Sequence, residues 1–204
     1  MALIDHNRLK SKKVRQFLQA FNLNSEADLG KLKSTSVKEG ESGFYSHFGE
    51  FFIDAPLDVV WQHYTTCSPV KAWNNEHMNL LMLFDRKTEN LFYPDAESFP
   101  KMEQDILIFI NVHFIYGKVK VMVGHEVDFI DENERLIKTN YLENSKSTGS
   151  QYIRFYEAGP NRTRIAHDSY YSSNSWFRDR VLYPALHTIT IAAFHNNLKK
   201  QLLG

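Results

Sequence analysis

Residues 174–203 read NSWFRDRVLYPALHTITIAAFHNNLKKQLL. Phe177, Val181, Ala185, Ile189 and Ala192 recur at the spacing of one helix face, with Leu182, Leu186 and Ala193 beside them. Ser173 or Asn174 suits an N-cap, because a short polar side chain accepts a free N–H of the first turn. Lys199 and Lys200 suit the negative end of the helix dipole, and Gly204 follows. At 1.5 Å per residue such a helix is about 43 Å long. Pro184 lacks an N–H, and its ring crowds the carbonyl of Arg180, so a kink or break is expected near Tyr183. A helix of this length needs a broad curved surface on which to bury its stripe.

The chain upstream supplies strands for that surface. Phe44–Asp54 is aromatic and β-branched, bounded by Gly43 and Pro56. Pro56 then opens a short helix carrying Val59, Val60 and Tyr64, and SPVKAW (68–73) opens a second. From residue 78 the pattern is strand after strand: 78–84, 105–116, 118–130, 136–143, 149–157 and 162–171. In 118–130, Val119, Val121, Val123, Val127 and Phe129 alternate with charged residues. Short polar turns between the runs imply hairpins. Residues 85–103 are irregular and aromatic, as lid loops often are.

Residues 5–21 read as a helix with a thin apolar stripe (Val14, Phe17, Leu18, Phe21) among Arg8, Lys10, Lys12, Lys13 and Arg15. Residues 22–43 are polar and turn-rich, with one short helix expected at 25–32. The division expected is therefore an N-terminal helix and linker (1–43) and one main domain (44–204).

Composition narrows the function classes. The 204 residues carry 24 basic and 24 acidic side chains, a balance unlike that of nucleic-acid binders. The one cysteine, Cys67, forbids an intramolecular disulfide and fits a reducing, cytoplasmic setting. The N-terminus has no apolar run resembling a signal peptide, and no stretch has the length of a membrane span. Nine histidines show no metal-ligand spacing; neither a nucleophile elbow nor a glycine-rich phosphate loop is present. No metal and no cofactor is expected, and oligomeric state is not readable.

FFIDAPLDVVWQHYTTCSPVKAW (51–73) and TRIAHDSYY (163–171), the latter followed directly by the long helix, resemble the opening and the end of the START-like superfamily. This is the SRPBCC or helix-grip group of polyketide cyclase/dehydrase and lipid-transport proteins. The resemblance implies an α+β helix-grip fold over 44–203. A curved antiparallel sheet of about seven strands would surround the C-terminal helix, with two short helices after the first strand and an extra N-terminal helix. It also implies a cavity between sheet and helix, hence a hydrophobic small-molecule partner such as a lipid, polyketide-like or isoprenoid-like compound. The superfamily shares no catalytic residue set.

Strand alternation nominates the cavity wall. His113, Val121, Val123, His125, Tyr141, Tyr152, His167 and Tyr171 are the strand candidates, with Leu186 and Ile189 from the helix. Carriage by shape alone, cyclase or dehydratase chemistry on cavity His and Tyr, and an interaction module with a filled core are the three readings. Carriage is favoured over catalysis, because no catalytic constellation is visible.

Overall fold

The structure is a computed structural model that describes residues 2–9, 11–114, 117–143 and 145–204. Lys10, Ile115 and Tyr116, which fall within expected elements, lie outside the described residues. In chain order the elements are α1 (Lys12–Ala20), α2 (Glu26–Gly30), β1 (Ser34–Thr35), β2 (Tyr45–Ile53), α3 (Leu57–Thr66) and α4 (Pro69–Trp73). Then come β3 (Met78–Asp85), β4 (Asn90–Phe92), β5 (Ile106–Phe114), β6 (Val119–Asp131), β7 (Leu136–Leu142), β8 (Thr148–Glu157), β9 (Thr163–Ser172) and α5 (Tyr183–Leu203). A π-helical turn, Arg178–Leu182, leads into α5.

The strands form one antiparallel sheet in the order β2-β9-β8-β7-β6-β5-β3-β4, and β1 joins the end of β7. It has nine strands rather than about seven, because β1 and β4 are too short to show a period. Tight turns set the register. At the β6–β7 turn the Asp131 carboxylate accepts from the backbone N–H groups of Asn133 and Glu134, at 2.9 and 3.0 Å. Gly149 is held at φ +142°, where a Cβ would lie 1.9 Å from the Tyr170 carbonyl oxygen, so only glycine fits there.

Two irregularities move side chains between faces. A bulge between Val127 and Phe129 puts Val127 inside and Phe129 outside, over Lys138, whereas strict alternation puts both inside. A second, between Leu80 and Met82, lets Leu80 and Leu83 both face the inner core.

The concave face carries two inner clusters. One joins Ile53, Val60, Trp61, Tyr64, Phe155 and Ile165 to Phe194 and Leu198 of α5. The other is built on Ile106, Ile108, Ile110 and Val112. The convex face has a core of its own. Leu9, Val14, Leu18 and Leu29 of the N-terminal segment cover Phe84, Leu107, Phe109 and Leu142, all nearly inaccessible to solvent. α1 is shorter than the helix expected over 5–21. α2 is fixed by a capping box, in which Ser25 Oγ accepts from the Asp28 N–H while the Asp28 carboxylate accepts from the Ser25 N–H.

The last helix differs from expectation in phase. Its start is capped by Ser175, whose Oγ accepts from the Arg178 N–H at 3.3 Å. No break occurs at Pro184. Leu182 and Tyr183 keep helical dihedrals, and the chain widens into the π turn before the proline, which sits in the first turn of α5 where its missing N–H matters least. The buried face of α5 is His187, Ile191, Phe194, His195 and Leu198. Phe177, Val181, Leu182 and Ile189, the expected core stripe, are all more than 40% exposed.

Candidate functional site

A cavity of about 340 Å³ lies between the concave face and α5. Along the helix its wall changes in character. At one end Trp73, Ile108, Ile137, Ile153 and Phe194 make an apolar base. In the middle His125, Tyr141, Gln151, His167, Tyr183 and His187 form a polar belt. At the mouth Val119, Lys146, Arg178 and Leu182 surround the opening, where Arg178 donates to the Lys146 carbonyl at 2.7 Å.

Of the sequence candidates, Val121, Val123, His125, Tyr141, His167 and Leu186 line this cavity. Four others are placed elsewhere. His113 shares the convex face with Asn111, whose side chain it meets at 2.7 Å, because the cavity face of β5 is the even-numbered set Ile108, Ile110, Val112. Tyr152 also points outward and donates to the Val37 carbonyl at 2.6 Å. Tyr171 faces inward but lies behind the wall, stacked on Tyr183 and donating to the Asp179 carbonyl at 2.9 Å. Ile189 is on the outer side of the helix. Tyr183, Gln151 and His187 are wall residues outside the candidate set. His187 and His195 flank Ile191 at helical spacing, a signal readable in the sequence once histidine is admitted to a core stripe.

All of the belt but His125 belongs to a continuous hydrogen-bonded chain that runs from the buried Tyr64 to the half-buried His47. Tyr64 Oη meets His195 Nδ1 at 2.9 Å, and His195 Nε2 meets His167 Nδ1 at 2.9 Å. His167 Nε2 meets Gln151 Oε1 at 3.1 Å. Gln151 Nε2 reaches Tyr141 Oη at 2.7 Å and His187 Nε2 at 3.3 Å. His187 Nδ1 meets His47 Nδ1 at 3.2 Å, and His47 Nε2 meets Thr188 Oγ1 at 2.9 Å. Thr188 in turn donates to the Pro184 carbonyl at 2.8 Å.

The ends fix the direction of every hydrogen. Thr188 gives its hydrogen to Pro184, so it accepts from His47 Nε2–H. His47 Nδ1 then accepts from His187 Nδ1–H, and His187 Nε2 accepts from Gln151. At the other end Tyr64 donates to His195, His195 to His167, and His167 to the Gln151 carbonyl. Each imidazole carries one hydrogen and uses both nitrogens. Reversed, the chain would leave the Tyr64 hydroxyl hydrogen buried without an acceptor among the described residues, a costly state. Tyr64 stacks on His195, and His195 on Phe51, which holds the rings in this register.

Burial sets the protonation. It lowers His125 to about 4. His167 falls to about 3, by burial first and then by the neighbouring His47 and His125. His187 and His195 are driven well below the ordinary histidine range by burial, with His167 adding to both. Burial raises Tyr141 to about 12 and pushes Tyr64 and Tyr183 well above the phenol range. All these groups are neutral near pH 7. His125 stands outside the chain: its Nδ1 is buried without a hydrogen-bond partner among the described residues, although its ring lies 4.6 Å from that of Tyr141. No group of three or more His, Cys, Asp or Glu among the described residues could hold a metal ion.

A bent antiparallel sheet closed over a C-terminal helix, with hollow space between them, is the helix-grip fold. Particular solved structures share it. Norcoclaurine synthase of Thalictrum flavum, solved with dopamine and hydroxybenzaldehyde, is similar at 15% identity and TM-score 0.57, over 82% of this chain and 95% of that one. The Zhui aromatase/cyclase of Streptomyces sp. R1128 is similar at 13% identity and TM-score 0.54, over 78% and 93%. Major latex-like protein 151 of Panax ginseng is similar at 9% identity and TM-score 0.58, over 79% and 99%. No family model and no curated protein matches the chain. These likenesses establish the fold.

Proposed function

We propose that the protein binds and carries a hydrophobic small molecule in the cavity between the sheet and α5. The observation that carries the reading is the cavity itself: about 340 Å³, bounded chiefly by Ile, Val, Phe and Trp side chains, with its histidines in one belt and its cations at the mouth. Burial of apolar ligand surface there is favourable at roughly 25 cal/mol per Å², and no covalent step is needed. Val121, Val123, His125, Tyr141, His167 and Leu186 are the proposed contacts. A cytoplasmic carrier without a nucleic-acid partner is the setting suggested by the balanced charge and the single cysteine. Among the described residues no helix is long and apolar enough to cross a membrane.

A second reading, general acid–base chemistry of the cyclase or dehydratase kind, has one observation in its favour: His125 is an uncommitted neutral imidazole beside Tyr141. His167 does not serve it, because both of its nitrogens are engaged. Organic extraction and mass spectrometry of the purified protein test carriage. Stoichiometric apolar ligand is expected in the native protein and none in a folded Val123→Trp variant, whose indole would fill the cavity. An empty native protein that takes up no apolar probe would refute the reading.

A further inference from the structure

The hydrogen-bond chain leaves two polar functions on the cavity wall without partners. The first is a phenol hydrogen. Tyr141 accepts from Gln151 and is hydrogen-bonded to the Tyr183 hydroxyl. Two hydroxyls joined by one bond carry two hydrogens and use one. The other has no acceptor among the described residues: Gln151 turns its N–H to Tyr141, and its carbonyl meets His167 rather than either hydroxyl. The second is the imidazole of His125, 6% exposed, whose Nδ1 is buried without a partner among the described residues. These two lie together, since the His125 and Tyr141 rings are 4.6 Å apart and Tyr141 meets Tyr183 directly. Leaving such groups buried and unmatched is unfavourable, and a ligand atom that pairs with them gains the difference.

What can pair with them is limited by charge. The belt contains no Lys or Arg; the cations nearest along the wall, Lys146 and Arg178, are at the mouth. A carboxylate placed at Tyr141 would be desolvated beside neutral rings. A hydroxyl or a carbonyl oxygen would accept the phenol hydrogen and use one function of His125: a hydroxyl donates to its lone pair, and a carbonyl accepts its N–H. We propose that the ligand of this cavity is an uncharged oxygen-bearing apolar molecule, an alcohol, phenol or ketone, whose oxygen sits between His125 and the Tyr141–Tyr183 pair while its apolar body extends to Trp73 and Phe194. This rests on the binding reading above and adds the chemical class.

A matched trio tests it: naphthalene, 2-naphthol and 2-naphthoate, titrated into the full-length protein after organic extraction and refolding, and followed by naphthyl fluorescence at pH 7. The expected order is 2-naphthol about tenfold tighter than naphthalene, as one buried neutral hydrogen bond allows, with 2-naphthoate weakest. The double variant Tyr141→Phe with Tyr183→Phe should reduce the preference for 2-naphthol over naphthalene to twofold or less. His125→Phe should lower that preference while leaving the tyrosine pair in place. Equal binding of naphthalene and 2-naphthol, or tightest binding of 2-naphthoate, would overturn the assignment of ligand class while leaving ligand binding standing. Failure of all three to bind would overturn both. Should the double variant not fold, the His125→Phe measurement and the wild-type order decide the matter.

Discussion

Acid should unfold this protein well above the pH at which carboxylates titrate. His125, His167, His187 and His195 are buried and neutral, with folded-state affinities for protons far below the unfolded value near 6.5. Below pH 6.5 the unfolded chain therefore takes up protons that the folded chain refuses, and stability falls as pH falls. For one such histidine the loss between pH 7 and pH 5 is about 2 kcal/mol. Four give about 8 kcal/mol if their effects add, a large part of the 5–15 kcal/mol typical of a domain, and burial also lowers His47, His63 and His113. Asp28 and Glu132, whose carboxyls are held below their ordinary values by hydrogen bonds, titrate beneath this window. Urea unfolding at pH 7, 6 and 5, followed by circular dichroism, measures the slope. His125→Leu removes one of these groups without touching the chain and should make the slope shallower, by up to about 2 kcal/mol between pH 7 and pH 5. A free energy constant to within about 1 kcal/mol from pH 7 to pH 5 would show that the histidines are not neutral and buried as described.

Three further outcomes are expected. Gly149→Ala forces a Cβ onto the Tyr170 carbonyl and should cost more than about 3 kcal/mol, or block folding, in the same urea assay. Ile191→Ala, on the buried face of α5, should cost about 2–4 kcal/mol, whereas Ile189→Ala, only two residues away, should cost less than about 1 kcal/mol; the reverse ranking would mean that the helix is rotated. Deleting residues 2–33 uncovers Phe84, Leu107 and Phe109 on the convex face, and sedimentation should show association of the shortened chain where the full chain stays dispersed.

The scaffold is readable because proline, glycine and strand alternation punctuate the chain where its elements begin and end. Pro56 opens a helix, Pro69 another, and β2, β3 and β5 to β9 fall where the alternation places them. The site is less readable, for local reasons. Hydrophobicity ranks Ile189 above His187, so the expected stripe falls on the wrong side of α5; histidines that satisfy one another are compatible with a core, and no single-residue scale knows it. Phe129 changes face through a bulge that alternation cannot foresee. His113 obeys its alternation but belongs to the outer set, a choice fixed by which face of β5 the N-terminal segment covers. Gln151 and Tyr183 join the belt only when β7, β8 and the turn before Pro184 come together, which is a matter of long-range register.

The two-sided cladding of the sheet has an energetic consequence. A hollow of about 340 Å³ is space in which no side chain of the sheet or of α5 packs against another. A sheet with one covered face would have to bear that loss within its only nucleus of tight contacts. Here the same strands present Leu107 and Phe109 to a solid layer on the far side, where Leu18 and Leu29 leave no gap to solvent. Rigidity is thus supplied from behind, and the inner surface is free to remain vacant for a guest.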